Sequence, residues 1–145
     1  MAVTGDFGRL TATINALRGL ANVPSQVAAV AAPRITDQMQ ADTSAQRDPF
    51  GRAYAPHKPA TVKRWGPHPV LNLTGAGIGS LEAKPQAGSG IEVTADTHMA
   101  FTQAGTPTQV VRAVMPNRPG LPATWRGILE ESSAEVIARR LKVAG

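Results

Sequence analysis

The chain of 145 residues contains no cysteine. That excludes disulfides, thiolate nucleophiles and cysteine-ligated zinc or iron–sulfur centres. Aromatic residues are scarce at 4%. Leu, Ile, Val and Phe together number 30, about a fifth of the chain, which is near the floor for a charged sequence that still folds. The 42% apolar content overstates the core, because 24 of those residues are alanine. A lean core is expected, with 14 Gly and 12 Pro marking long irregular stretches and with neighbouring subunits completing what the chain leaves open. No apolar run approaches the roughly 20 residues needed to cross a bilayer, so no membrane partner is expected. The first residues, Met1-Ala2-Val3-Thr4-Gly5-Asp6, lack the basic-then-apolar pattern of a secretory signal.

What the chain does have is positive charge, unevenly placed. The net charge is +5, and Arg outnumbers Lys 11 to 4. Residues 44–70 hold Arg47, Arg52, Lys58, Lys63 and Arg64 against Asp48 alone, together with Tyr54, His57, Trp65 and His68. Arginine suits bidentate contacts to carboxylate or phosphate and is common at protein interfaces. Three readings fit this segment: a nucleic-acid footprint, attachment to an acidic protein partner, or a solvated basic loop.

Hydrophobic spacing divides the single domain, 1–145, into four parts. In residues 1–43, Phe7, Leu10, Ile14 and Leu17 form one helical stripe, with Thr4 or Asp6 as its cap. Asn22-Val23-Pro24 breaks that helix, and Pro24 opens a second with Val27, Val30, Ile35 and Met39 on its apolar edge. Pro33 should kink this helix, while its alanines admit close approach of a neighbour. Two helices, near 5–20 and 24–43, are predicted. Residues 44–70 read as an extended basic loop punctuated by Pro and Gly, with one short turn near Thr61–Trp65; such loops are usually functional or ordered by a partner.

In residues 71–122, Thr74–Ser80 reads as a turn or short helix, and Leu81/Ala83 and Ile91/Val93 alternate with Glu82 and Glu92 around a Pro85–Gly90 hairpin connection. Further strands are predicted at Gln109–Met115 and near His98–Thr102. Residues 123–145 predict a helix lined by Trp125, Leu129, Val136 and Ile137, with Ile128 and Leu141 at its edges. The expected fold class is α+β: two N-terminal helices, a long Pro/Gly-rich loop, a small antiparallel sheet of three or four strands, and a C-terminal helix.

Motifs for chemistry are thin. His57, His68 and His98 are too far apart to pair on one helix, so no metal site is expected. Gly75, Gly77 and Gly79 hint at a phosphate loop with Asp96 about 20 residues on, but a hairpin follows where a dinucleotide fold needs a long helix, so no cofactor is expected. Ser89 between Gly88 and Gly90 is turn composition. Asp48 before Pro49 suits a residue capping its own turn. Trp65 and Trp125 read as core anchors, and no catalytic residues are assigned, so the protein is not expected to be an enzyme.

Asp48-Pro49-Phe50-Gly51-Arg52-Ala53-Tyr54-Ala55-Pro56-His57-Lys58-Pro59-Ala60-Thr61 resembles the "D-P-x-G-x-x-W-x-P-L-x-x-x-T" stretch of the phage virion-morphogenesis, or tail-completion, family. Tyr54 stands at the family's Trp and His57 at its Leu. Leu71-Asn72-Leu73-Thr74-Gly75 with Ile78, Ser80 and Leu81 resembles the family's "L-x-x-T-G-x-L-x-x-S" turn, and His98–Gly105 its "Y-A-x-x-H-x-x-G" element. Met115-Pro116-Asn117-Arg118-Pro119 resembles "P-x-R-P-F-L-G", although Gly120-Leu121-Pro122 departs from its end. The resemblance implies a structural virion protein at the phage neck, assembled in the host cytoplasm. It implies copies of itself in a ring of about six, with the head connector and the tail terminator or tail-tube proteins as partners. Tail terminator or head-closure roles at the same junction stay open, as does proximity to channel DNA. Arg52, Tyr54, Lys63, Arg64 and Trp65 are the candidate interface residues, being charge and aromatic area on a loop with little core to serve.

Overall fold

Two long antiparallel helices carry the architecture. The structure, a computed structural model, describes residues 7–71, 74–87, 90–105 and 110–144. Its elements in order are α1 (Phe7–Leu20), α2 (Val23–Ser44), α3 (Pro59–Trp65), α4 (Ala76–Gly79), β1 (Glu82–Pro85), β2 (Ile91–Thr94), α5 (Thr97–Ala104) and α6 (Ala123–Ala144). The fold is thus mixed and helix-rich, with one small two-stranded antiparallel sheet.

Helix α2 starts where the sequence puts its signals: Pro24 lies in the first turn and the Ser25 hydroxyl donates to the Asn22 carbonyl at 3.2 Å. Ala28, Ala31, Ala32, Ile35 and Met39 are buried along it. The small alanines let α6 lie close. Arg140 Nε donates to Gln26 Oε1 at 3.1 Å. At the other end of the contact Arg34 donates to Ser132 Oγ at 3.3 Å and to Glu135 Oε2 at 2.5 Å. Residue numbers run in opposite directions along the pair, which makes it antiparallel. Helix α6 buries Trp125, Ser132 and Val136 and half-buries Leu129, at spacings of four, three and four.

Strands β1 and β2 pair with Glu82 opposite Thr94 and Pro85 opposite Ile91. The outer edge of β1 is covered by α2: Thr36 Oγ1 accepts from the Ala83 N–H at 2.8 Å, and Gln40 Nε2 donates to the Leu81 carbonyl at 3.1 Å. Helix side chains thus satisfy backbone groups that would otherwise template another strand. The core is Ala31, Ala32, Ile35, Met39, Leu81, Ala83, Met99, Val114 and Trp125, where α2, α6, β1 and α5 meet.

Several expectations are corrected. The sheet has two strands among the described residues, not three or four. His98–Thr102 lies in helix α5. Asp96 Oδ1 caps it by accepting from the Met99 N–H at 2.9 Å, Met99 and Thr102 are fully buried three residues apart, and Gly105 (φ 74) ends it in a conformation that glycine adopts at least cost. That period of three, with Phe101 exposed, displaced the alternation expected of a strand. Residues 110–115 are irregular because α5 takes their backbone groups: Gln103 Oε1 accepts from the Val114 and Met115 N–H groups at 2.8 and 2.9 Å, Gln103 Nε2 donates to the Met115 carbonyl, and the Arg112 N–H donates to the Thr102 carbonyl. The expected strand residue Gln109, the expected caps Thr4 and Asp6, and Ser89 lie outside the described residues. Ile14 and Leu17 of the α1 stripe are exposed, as is Leu20, while the Phe7 and Leu10 side chains lie outside the described residues; Ile137 and Leu141 of α6 are exposed too, and Ser132 and Val136 are buried on that helix instead.

Candidate functional site: the basic segment and a histidine-lined cavity

Residues 44–70 contain the seven-residue helix α3 where a short turn was expected, and the rest of the segment is pinned by side chains. Gln46, at φ 62, is the base of the segment. Its carbonyl accepts from the Tyr54 N–H at 2.9 Å. Its Nε2 donates to the Thr43 and Val70 carbonyls at 3.1 and 2.9 Å, and its Oε1 accepts from the Val70 N–H at 2.5 Å. One amide therefore ties the start of the segment to its end. Asp48 organises the turn as its sequence context suggests: Oδ1 accepts from the Phe50 and Arg52 N–H groups at 2.9 and 2.8 Å, and Gly51 takes a φ of 83 that other residues adopt only under strain.

The segment is anchored to the strand-like run that follows α5. The Tyr54 hydroxyl donates to the Ala113 carbonyl at 2.9 Å. Arg112, 9% exposed, donates from Nε to the Ala55 carbonyl at 3.0 Å and from a terminal nitrogen to the Pro56 carbonyl at 2.9 Å. Burial holds the Tyr54 hydroxyl above its ordinary range. Burial also raises the Asp42 carboxyl, with the like charge of Asp48 adding to it and the Gln38 hydrogen bond and Arg47 opposing.

Between α3, α4 and α5 the anchored segment leaves a cavity of about 420 Å³. His57, His68, His98, Arg112, Trp65 and Thr74 are among the residues that line it. Thus the chain's three histidines, too far apart in sequence to pair on one helix, line one space: His57 and His68 flank α3, and α5 brings His98. His57 and His68 lie with ring centroids 4.3 Å apart and planes tilted by 41°. His68 Nδ1 shares a hydrogen bond of 2.9 Å with the Gly66 carbonyl, while His57 Nε2 is buried with no protein partner among the described residues. No group of three or more metal-ligating side chains suited to an ion occurs among the described residues.

The predicted interface residues separate. Arg52, Lys63, Arg64 and Trp65 are exposed, and the Arg64 guanidinium lies 5.0 Å from the Trp65 ring centroid. Trp65 is 56% exposed and therefore no core anchor, unlike Trp125, which is buried. Tyr54 is half-buried and committed to Ala113. Asp96 is the cap of α5. Sequence reasoning missed Arg112, whose one signal is a cation inside the apolar run Val110–Met115, and missed Gln46 and Gln103, which carry no local signal. Comparison with protein-family models, curated proteins and solved structures finds no match for the chain.

Proposed function

We propose that the protein is a structural subunit of a phage neck, a tail-completion protein that forms a ring with its own copies and helps join the DNA-filled head to the tail. The observation that carries this reading is apolar and cationic surface left open around a small core. Ile14, Leu17 and Leu20 on α1, Trp65 beside Arg64, Phe101 on α5, and Leu141 on α6 are all exposed. A subunit in a closed ring needs two different surfaces, each meeting the other on the next copy, and exposed apolar patches rimmed by charge are the surfaces that associate. Support also comes from the Asp48-Pro49-x-Gly51 resemblance: Asp48 and Gly51 are the residues that make the turn presenting Arg52.

Electron microscopy of lysates lacking the gene tests the reading. Full heads beside separate, normal-length tails are the expected result; overlong tails would assign a terminator, and emptied heads a head-closure protein. Replacing Arg52 and Arg64 with Ala should weaken assembly and leave the fold intact, since both are exposed. A second reading, nucleic-acid binding, is favoured by Arg52, Lys63 and Arg64, none of which is ion-paired among the described residues. Duplex binding that falls steeply with salt, in a protein that forms no ring, would favour it instead.

A further inference from the structure

We propose that the histidine-lined cavity is a binding site for a small organic phosphate, with the phosphate held at Arg112 and His57 and its carbon body against Trp65 and Leu71. This goes beyond the neck role and does not depend on it.

The argument begins with charge. Arg112 is 9% exposed, and among the described residues no carboxylate pairs with it. A buried cation without a counter-ion is costly, because neither water nor an anion offsets the lost hydration. The Ala55 and Pro56 carbonyls compensate in part, accepting two of the five N–H donors that a guanidinium carries. An oxyanion supplies what carbonyl dipoles do not, a full opposite charge in a planar-fork geometry suited to phosphate.

The ionisable side chains lining the cavity are Arg112, His57, His68 and His98, with no Asp or Glu among the lining residues. The one fixed charge on this wall is the Arg112 cation, which draws anions. His57 Nε2 is shut off from water and has no protein partner among the described residues, so a turn of the His57 ring toward the cavity brings that nitrogen to a phosphate oxygen. The Gly66 carbonyl takes the Nδ1–H of His68, which leaves Nε2 as that ring's other hydrogen-bonding nitrogen.

Size and texture select the class of anion. At about 420 Å³ the space falls in the range of small-molecule pockets and exceeds what inorganic phosphate fills. The remaining lining includes the Trp65 indole and the Leu71 side chain, together with Thr61 and Thr74. A phosphate monoester with a flat apolar body matches both halves.

The chain has only these three histidines and all of them line the cavity, so their ring signals report on it without overlap from histidines elsewhere. Full-length protein labelled at histidine is titrated by NMR with inorganic phosphate, phenyl phosphate, benzoate and zinc, with sodium chloride as the ionic-strength control. The expected result is a saturable shift of the His57 and His68 ring signals with both phosphates. Phenyl phosphate should bind several-fold tighter than phosphate and tighter than benzoate. Trp65→Ala, at an exposed position, should lower phenyl phosphate affinity several-fold and leave inorganic phosphate unchanged. Arg112→Gln should lower affinity for both by at least about tenfold, the loss of one charge-assisted hydrogen bond. If that variant fails to fold because Ala55 and Pro56 lose their donor, the wild-type titration and Trp65→Ala still decide. Shifts produced equally by sodium chloride, a saturable response to zinc but not to phosphate, or silent histidine signals throughout would each overturn the proposal.

Discussion

Replacing Gln46 should loosen the whole basic segment from one position. Its side chain makes three hydrogen bonds, two of them to the N–H and carbonyl of Val70, a residue 7% exposed. At about 1 kcal/mol net for each, Gln46→Ala should cost about 2–3 kcal/mol. For a chain of this length about 3 °C of Tm accompanies each kcal/mol, which predicts a fall of about 6–9 °C. Gln46 also sits at φ 62 without being glycine, and alanine inherits that strain. Gln46→Gly removes the same bonds but relieves the backbone, a gain of roughly 1–2 kcal/mol that the freer unfolded chain partly cancels. It should therefore be more stable than Gln46→Ala by about 0.5–1 kcal/mol. Urea unfolding followed by the fluorescence of buried Trp125 measures both. Amide exchange at Val70, whose N–H bonds to the Gln46 side chain, should accelerate selectively in both variants. A Gln46→Ala protein within about 0.5 kcal/mol of wild type, or a glycine variant less stable than the alanine one, would refute the reasoning.

Leu81 is fully buried where α2, β1 and α5 meet, so Leu81→Ala should cost about 2–5 kcal/mol by calorimetry, a loss this lean core can ill absorb. Burial raises the Tyr54 hydroxyl above its ordinary 10.0; stability is then whole below about pH 10 and falls as pH climbs through the raised folded value. Tyr54→Phe should lose about 1 kcal/mol at neutral pH with the Ala113 hydrogen bond, and its deficit should shrink with alkaline pH; a constant deficit would contradict the assignment. The Arg34 guanidinium beside Glu135, with Arg139 adding to it, holds that carboxyl below the usual 4.5. Its contribution is therefore present above about 4.5 and is lost as pH falls through the lowered value. Glu135→Gln should flatten the acid limb of the stability curve, read by circular dichroism across that window.

By itself the sequence determined the helices at both ends, the β1–β2 hairpin and the Asp48 turn. Each rests on signals within a few residues: Pro24 in the first turn of α2, the alternation of Leu81/Ala83 and Ile91/Val93, and an Asp-Pro-x-Gly run whose side chain and glycine close on each other. Local backbone preference is strong enough there that distant contacts only confirm it. Tertiary structure decided the rest. The run Val110–Met115 has strand composition but no strand, because Gln103, Thr102 and Tyr54 take its N–H and carbonyl groups before another strand can. Helix α5 prevailed over alternation once Asp96 could cap it and Met99 and Thr102 could share one buried face. The Ile14–Leu17 stripe is helical as its spacing says, yet spacing does not say against what a face packs. Above all, His57, His68, His98 and Arg112 span 56 residues and share one cavity. Their meeting depends on the Gln46–Val70 clasp and the Arg112 bonds to Ala55 and Pro56, long-range contacts that no local pattern encodes because their partners are backbone groups any residue could supply.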